Sequence, residues 1–211
     1  MRSYSPIGSG TAIFAVTCLL LPGSAVVSIL ITRLGHFRWA IWIGWAVATT
    51  GTGLFILLHV HLTKAAWIAA CMVFGLGNGM VLSSLNFGIQ AVVRAEDAGR
   101  AASMYAFLRT LGMALGVATG GTVFQNLMSA KLAALGLSTE IARDAESFVA
   151  VLKTLAVSQR VGAIEAYVHG IRGVFVFLTA VSGAALLASL SIKRHSMDKI
   201  LESKYTLDRE A

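Results

Sequence analysis

Long apolar stretches without charged residues dominate this chain. Five of them contain no Lys, Arg, Asp or Glu: residues 3–32, 39–63, 65–93, 110–130 and 173–192. A helix needs about 20 apolar residues to cross the hydrocarbon core of a bilayer, and each stretch reaches that length. The apolar residues run continuously and do not alternate at every second position, which favours helices over a β-barrel. The pattern therefore predicts an all-α fold, a polytopic membrane helix bundle with about five transmembrane helices.

The predicted bundle occupies residues 1–192 and is followed by a charged tail over residues 193–211. Its predicted spans are residues 11–31, 38–58, 66–90, 101–126 and 168–192. Residues 127–164 are predicted as a loop, in which Gly136 ends one short helical stretch and a second helical stretch follows. Since the number of spans is odd, the two termini are expected on opposite sides of the membrane.

The composition agrees with a membrane protein and argues against a soluble one. Hydrophobic residues make up 56% of the 211 residues and charged residues only 13%, whereas a soluble domain carries roughly 25% charged residues. The net charge of +7 raises the question of nucleic acid binding. However, the basic residues do not form a patch with interleaved aromatic residues. We therefore expect the lipid bilayer, and no nucleic acid, as a partner.

The basic residues between the spans predict the orientation in the membrane. Three segments, the loops 32–38 and 91–100 and the C-terminal tail, hold nine of the seventeen Lys and Arg residues. Short loops on the cytoplasmic side of membrane proteins are enriched in Lys and Arg. The sequence thus predicts a cytoplasmic C-terminus and an N-terminus outside.

Arg109 is a candidate functional residue because it lies about eight residues into the fourth predicted span. A cation at such a depth costs about 2.5–3.5 kcal/mol on insertion scales and usually faces a cavity or a partner. The other interpretation is that the long side chain extends to the cytoplasmic headgroups. Both interpretations stay open from the sequence.

Three amide side chains interrupt the third predicted span: Asn78, Asn86 and Gln90. Asn86 and Gln90 are four residues apart and therefore share one face of a helix. In a transporter these side chains would line a hydrated cavity and bind substrate. The alternative is that they form hydrogen bonds to neighbouring helices.

Glycines are arranged for close helix packing in two of the spans. Gly112, Gly116 and Gly120 form a row on one face of the fourth span, and small residues four apart allow two helix backbones to approach closely. Residues 75–79, with three glycines, resemble the start of a nucleotide-binding loop. Such a loop requires a preceding strand, so in the middle of an apolar span we expect helix packing instead.

No pattern in the sequence indicates catalysis, a metal site or a cofactor. His59 and His61 are two residues apart and would point to different faces of a helix. Every Asp and Glu lies outside the five apolar stretches. We therefore expect no enzyme activity, no cofactor and no proton relay through a membrane carboxylate within this chain alone.

Residues 28–38 resemble the cytoplasmic loop signature of the major facilitator superfamily (MFS), G-x-x-x-D-R-x-G-R-x-R, in the copy carried by the second half of those transporters. Arg33, Gly35 and Arg38 match the signature, and Thr32 replaces its aspartate. The resemblance implies that the glycine forms the turn and that the cations bind headgroups or the ends of neighbouring helices.

Other segments resemble the fungal fourteen-span drug and toxin efflux pumps of that superfamily. Residues 4–10, 38–42, 75–79 and 109–126 resemble parts of their tenth, eleventh, twelfth and thirteenth spans. The resemblance covers nearly the whole chain and implies a partial MFS fold made of the C-terminal five spans. It also implies export of small amphipathic compounds by proton antiport in the intact protein, located in the plasma membrane.

The resemblance has consequences for partners and for the site. The first nine spans are absent from this sequence, so we expect either a fragment or a chain that requires another chain. In the intact transporter Arg109, Asn86 and Gln90 would line the cavity or its gate, with Asn78 as a further candidate. The alternative function is that of a small non-transporting membrane protein acting by helix association, which the glycine row favours.

Overall fold

The computed structural model describes residues 6–57, 64–143 and 157–192. Its helices are α1 (Pro6–Leu34), α2 (Arg38–Leu57), α3 (Lys64–Val92), α4 (Ala98–Ala134), α5 (Glu140–Arg143) and α6 (Val157–Leu190). A 3₁₀ turn over Ala95–Asp97 precedes α4. The described residues are 92% helical and include no strand, which confirms the all-α class. His59, His61 and the tail lie outside the described residues.

The long helices confirm a polytopic membrane bundle. In the described ranges, four segments are long and apolar enough to cross a membrane: Arg38–Leu57, Ala66–Val92, Ala98–Ala134 and Gln159–Leu190. A shorter apolar segment, Leu20–Leu34, lies within α1. We call the end of the bundle with the α1–α2 turn and the α3–α4 turn the basic end, and the opposite end the far end.

Two helices continue into the region that the sequence predicts as a loop, residues 127–164. α4 extends to Ala134 and α6 begins at Val157. The 37 residues of α4 span about 55 Å, well beyond the roughly 30 Å of a hydrocarbon core. α4 ends because Gly136 adopts a φ of +67°, a left-handed conformation that glycine tolerates best. The second helical stretch predicted after Gly136 falls largely outside the described residues.

A small core at the far end explains why α4 and α6 continue as helices. Its buried members come from α4, α5 and α6: Met128, Leu132, Ala142, Ala163 and Ala166. The rings of Phe124 and Tyr167 meet edge to face beside it, with centroids 5.2 Å apart. Lys131 Nζ and Glu165 Oε1 form an ion pair of 3.0 Å between α4 and α6. Both side chains are partly exposed, so the pair contributes at most about 1 kcal/mol.

α3 packs closely against both α1 and α2 because glycines remove side chains from the contacts. A Cβ atom on Gly77 would overlap the backbone of Ala48 in α2, and one on Gly79 would overlap the carbonyl of Leu20 in α1. The expectation of helix packing for residues 75–79 is thus confirmed. Without a hydrophobic driving force between helices in lipid, such close van der Waals contact is a main source of association.

α6 joins this group through α2, and α4 is attached mainly through α6. The indole Nε1 of Trp42 in α2 donates a hydrogen bond of 3.0 Å to the carbonyl oxygen of Ser189. The rings of Phe55 and Phe175 stack with centroids 4.7 Å apart. α4 contacts α3 only lightly, so much of α4 is left uncovered by the rest of the described bundle.

Candidate functional site

The three amides of α3 lie on one side of the helix, at positions i, i+8 and i+12. The Nε2 atom of Gln90 donates a hydrogen bond of 2.6 Å to Oδ1 of Asn86, and both side chains are exposed. This contact confirms that Asn86 and Gln90 share a face. Asn78 is half-buried, and its Nδ2 donates to the carbonyl oxygen of Phe74 in its own helix at 2.8 Å.

Tyr105 fixes which face of α4 is turned towards α3. Its hydroxyl donates a hydrogen bond of 3.4 Å to the carbonyl oxygen of Leu82. Arg109, Gly112 and Gly116 follow Tyr105 by four, seven and eleven residues, positions that lie on the same face of a helix. The candidate residues of α4 therefore share the face on which Tyr105 contacts α3. Sequence reasoning missed Tyr105, although its spacing of four from Arg109 was visible.

Arg109 lies beyond Tyr105 from the basic end, inside the long apolar segment of α4. α3 and α4 run in opposite directions, and the hydroxyl of Tyr105 reaches the carbonyl oxygen of Leu82. Arg109 is nine residues beyond Arg100, which is about 14 Å along the helix axis. This places its Cα well inside the apolar part of α4.

The side chain of Arg109 is exposed, as is every residue over the range 106–119 of α4. With the described residues, the guanidinium forms no hydrogen bond and no ion pair. The two ion pairs at the ends of α4 join Asp97 to Arg100 at 3.1 Å and Glu165 to Lys131, and neither includes Arg109. Arg109 therefore has no ion-pair partner in the part of the bundle that the structure describes.

The glycine row of α4 is largely open in the described structure. A Cβ atom on Gly112 or Gly116 would have no heavy atom within 4 Å, and one on Gly120 would lie 3.9 Å from Val174 Cγ1 in α6. The described helices therefore do not pack on the first two glycines. That the row packs against another helix stays a prediction, which now concerns a helix beyond those described.

The loop signature forms the turn between α1 and α2. Gly35 has a φ of +66°, and its N–H donates to the carbonyl oxygen of Ile31 at 2.9 Å, which ends α1. Arg33 is exposed, and the guanidinium carbon of Arg38 lies 4.7 Å from the ring centroid of Trp42. The hydroxyl of Thr32 donates a hydrogen bond to the carbonyl oxygen of Ser28 in the same helix. Binding of headgroups by these cations stays a prediction.

In the three described ranges, no group of His, Cys, Asp and Glu is arranged to hold a metal ion. The polar features of the described membrane helices are the amides of α3 and, on α4, the face that carries Tyr105 and Arg109. They suit hydrogen bonding and charge pairing with a small molecule.

The chain is similar to curated fungal transporters. It is 35% identical over 203 residues to the MFS transporter L2 of a Phoma species, covering 94% of this chain and 34% of that protein. It is 26% identical to the MFS-type transporter TwmF of Talaromyces wortmannii, covering all of this chain and 40% of that protein. Efflux pump FUS6 of Gibberella fujikuroi is 29% identical over 126 residues, 60% of this chain.

The chain spans about a third of the length of the curated relatives it matches. No family model matches the sequence, and no solved structure matches it.

Proposed function

This chain corresponds to a C-terminal portion of fungal transporters of the major facilitator superfamily, and we propose that it acts in export as part of such a transporter. The proposed substrates are small amphipathic compounds, such as drugs or toxins, and the proposed coupling is proton antiport. Relatives named as transporters and as efflux pumps support export. The membrane helix bundle is the architecture that this activity requires.

One observation carries the proposal: the exposed amide pair of Asn86 and Gln90 on a membrane helix. If lipid tails replaced water around these two amide side chains, the loss of their hydrogen bonds to water would cost a few kcal/mol of free energy. Polar side chains within membrane spans accordingly face cavities or the bundle interior. We therefore assign this side of α3, together with Arg109, to a hydrated substrate cavity.

The cavity and the proton coupling need further spans. Every Asp and Glu of this chain lies outside its apolar stretches, so the acid that exchanges protons comes from elsewhere in the transporter. Alternating access moves one half of a transporter against the other around a site near the midplane. The proposed partner of this bundle is accordingly a set of N-terminal spans, either in a longer chain or in another chain.

Export by proton antiport makes a direct prediction for living cells. Disrupting the gene should raise the ratio of intracellular to extracellular concentration for at least one amphipathic metabolite, as measured by mass spectrometry of cells and medium. A protonophore should raise the same ratio in the parent strain and change it little in the disrupted one. Unchanged ratios after disruption would contradict export, and export that is insensitive to the protonophore would contradict proton coupling.

The proposed orientation places the basic end in the cytoplasm and the far end outside, at the plasma membrane. The concentration of Lys and Arg at the basic end supports it. Cysteines introduced at the exposed positions Ser138 and Gly99 test it with a membrane-impermeant maleimide. Ser138→Cys should react on intact cells, and Gly99→Cys only after permeabilisation. The reverse pattern of labelling would overturn the orientation.

The alternative, a non-transporting protein acting by helix association, is favoured by the open face at Gly112 and Gly116. It predicts that gene disruption leaves every export ratio unchanged. It also predicts that the chain can be cross-linked through α4 to a second membrane protein.

A further inference from the structure

Deepening the proposed function, and resting on it, we propose that Arg109 binds the negative charge of the exported compound. The transporter would then select amphipathic anions, such as carboxylates, over neutral compounds of the same shape. Arg109 is the one charge within a long apolar stretch of α4, its side chain is exposed, and aromatic and apolar side chains lie next to it on the same face.

Among the residues that the structure describes, the guanidinium of Arg109 has no counter-ion. Between Arg100 and Lys131, Arg109 is the only charged residue of α4. Asp97 and Glu165, at the two ends of this helix, form ion pairs with Arg100 and Lys131 and not with Arg109. A cation within the apolar part of a membrane protein requires a partner. A substrate anion supplies that partner only while it is bound, which suits a site that must release its ligand.

The surroundings of Arg109 suit a molecule with one charged and one apolar part. The planar guanidinium presents its N–H donors in a fork that matches the two oxygens of a carboxylate. Met113, one turn further along the same face, is 54% exposed and offers a flexible apolar surface. Tyr105, one turn before, adds an aromatic ring. Charge and apolar contact are thus adjacent along one face of α4.

Naphthylacetate and naphthylacetamide are suitable probes because they share an apolar ring system and differ in charge. Export of each compound from preloaded cells, and its equilibrium binding to the purified full transporter, can be compared across variants. Arg109→Gln removes the positive charge. Arg109→Lys keeps the charge but lacks the forked N–H donors of the guanidinium. Arg100→Gln is the matched control, since it makes the same change on α4 in an exposed ion pair at the basic end.

We expect Arg109→Gln to lower export of naphthylacetate and to raise its Kd about 10- to 100-fold, as for the loss of a charge-assisted hydrogen bond. Export and binding of naphthylacetamide should change less than about twofold on the same reasoning. Arg109→Lys should be intermediate for the anion, and Arg100→Gln should behave as the parent protein. The abundance of each variant in the membrane and its elution volume serve as checks of folding.

Several outcomes would overturn the anion site. Equal losses for both probes in Arg109→Gln would assign Arg109 to a structural ion pair or to contact with headgroups. No effect on either probe, or no binding of naphthylacetate by the parent protein, would also reject it. If gene disruption alters export of other compounds while no anion is bound, the proposed function stands and this inference fails. If disruption alters no export but binding of naphthylacetate depends on Arg109, the proposed function fails and the anion site stands.

Discussion

Gly77→Ala is expected to destabilise the bundle by about 1–3 kcal/mol, the usual range for forcing extra atoms into a packed contact. The added methyl group would overlap the backbone of Ala48, including its N and Cα atoms. A backbone cannot move aside as a flexible side chain can, so α2 and α3 must separate. Heating the purified transporter in mild detergent and following the folded fraction by size exclusion would show a lower midpoint.

Gly183→Ala is the matched control for this prediction. Gly183 also lies inside a helix, α6, but a Cβ atom there would have no heavy atom within 4 Å. Both substitutions gain up to about 1 kcal/mol of intrinsic helix propensity, so their difference isolates the packing contact. Gly183→Ala should melt at or slightly above the parent midpoint. Equal midpoints for the two variants would show that the close approach of α2 and α3 is absent in the transporter.

Replacing both Asn86 and Gln90 by leucine is expected to lower export about tenfold or more, since each lost polar contact to a bound ligand or its water contributes about 0.5–1.5 kcal/mol. Both side chains are exposed and bonded to each other. The measurement is the initial rate of metabolite export, divided by the abundance of the protein in the membrane.

Thr50→Val serves as the control for the amide variant. Thr50 is also an exposed polar residue on a membrane helix, but its hydroxyl donates to the carbonyl oxygen of Ala46 in α2 at 2.8 Å. Its loss should leave export unchanged. Export at the parent rate by the double leucine variant would remove Asn86 and Gln90 from the cavity. If the double leucine variant loses both thermal stability and export, Asn86 and Gln90 contribute to helix packing instead.

The spans could be predicted from sequence because lipid imposes a minimum length on uncharged segments. The helical extensions at the far end could not be predicted in the same way. Lys131 lies within the predicted loop and Glu165 directly after it, yet the two charged side chains form an ion pair between two helices. The small residues Ala163 and Ala166 are fully buried there, and nothing in their local sequence distinguishes them from exposed alanines.

In the candidate site too, some features follow from the spacing of residues along one helix, and others depend on the neighbouring helices. That Asn86 and Gln90 share a face follows from helical spacing alone. The contact of Tyr105 with Leu82 depends on how two helices cross. The glycines differ for the same reason, since Gly77 lies against a backbone and Gly116 faces open space. Helix geometry identifies a face, and only the arrangement of neighbouring helices determines what covers it.

The size of the native product tests most directly whether this chain works as part of a larger transporter. An antibody against residues 203–211 can be used on membranes of the source organism, on denaturing and on native gels. The chain has a mass of 22.2 kDa and covers 34% and 40% of two relatives. The proposed function predicts a denatured band two to three times that mass, or a 22.2 kDa band that migrates natively with another chain. A 22.2 kDa chain that migrates alone would contradict it.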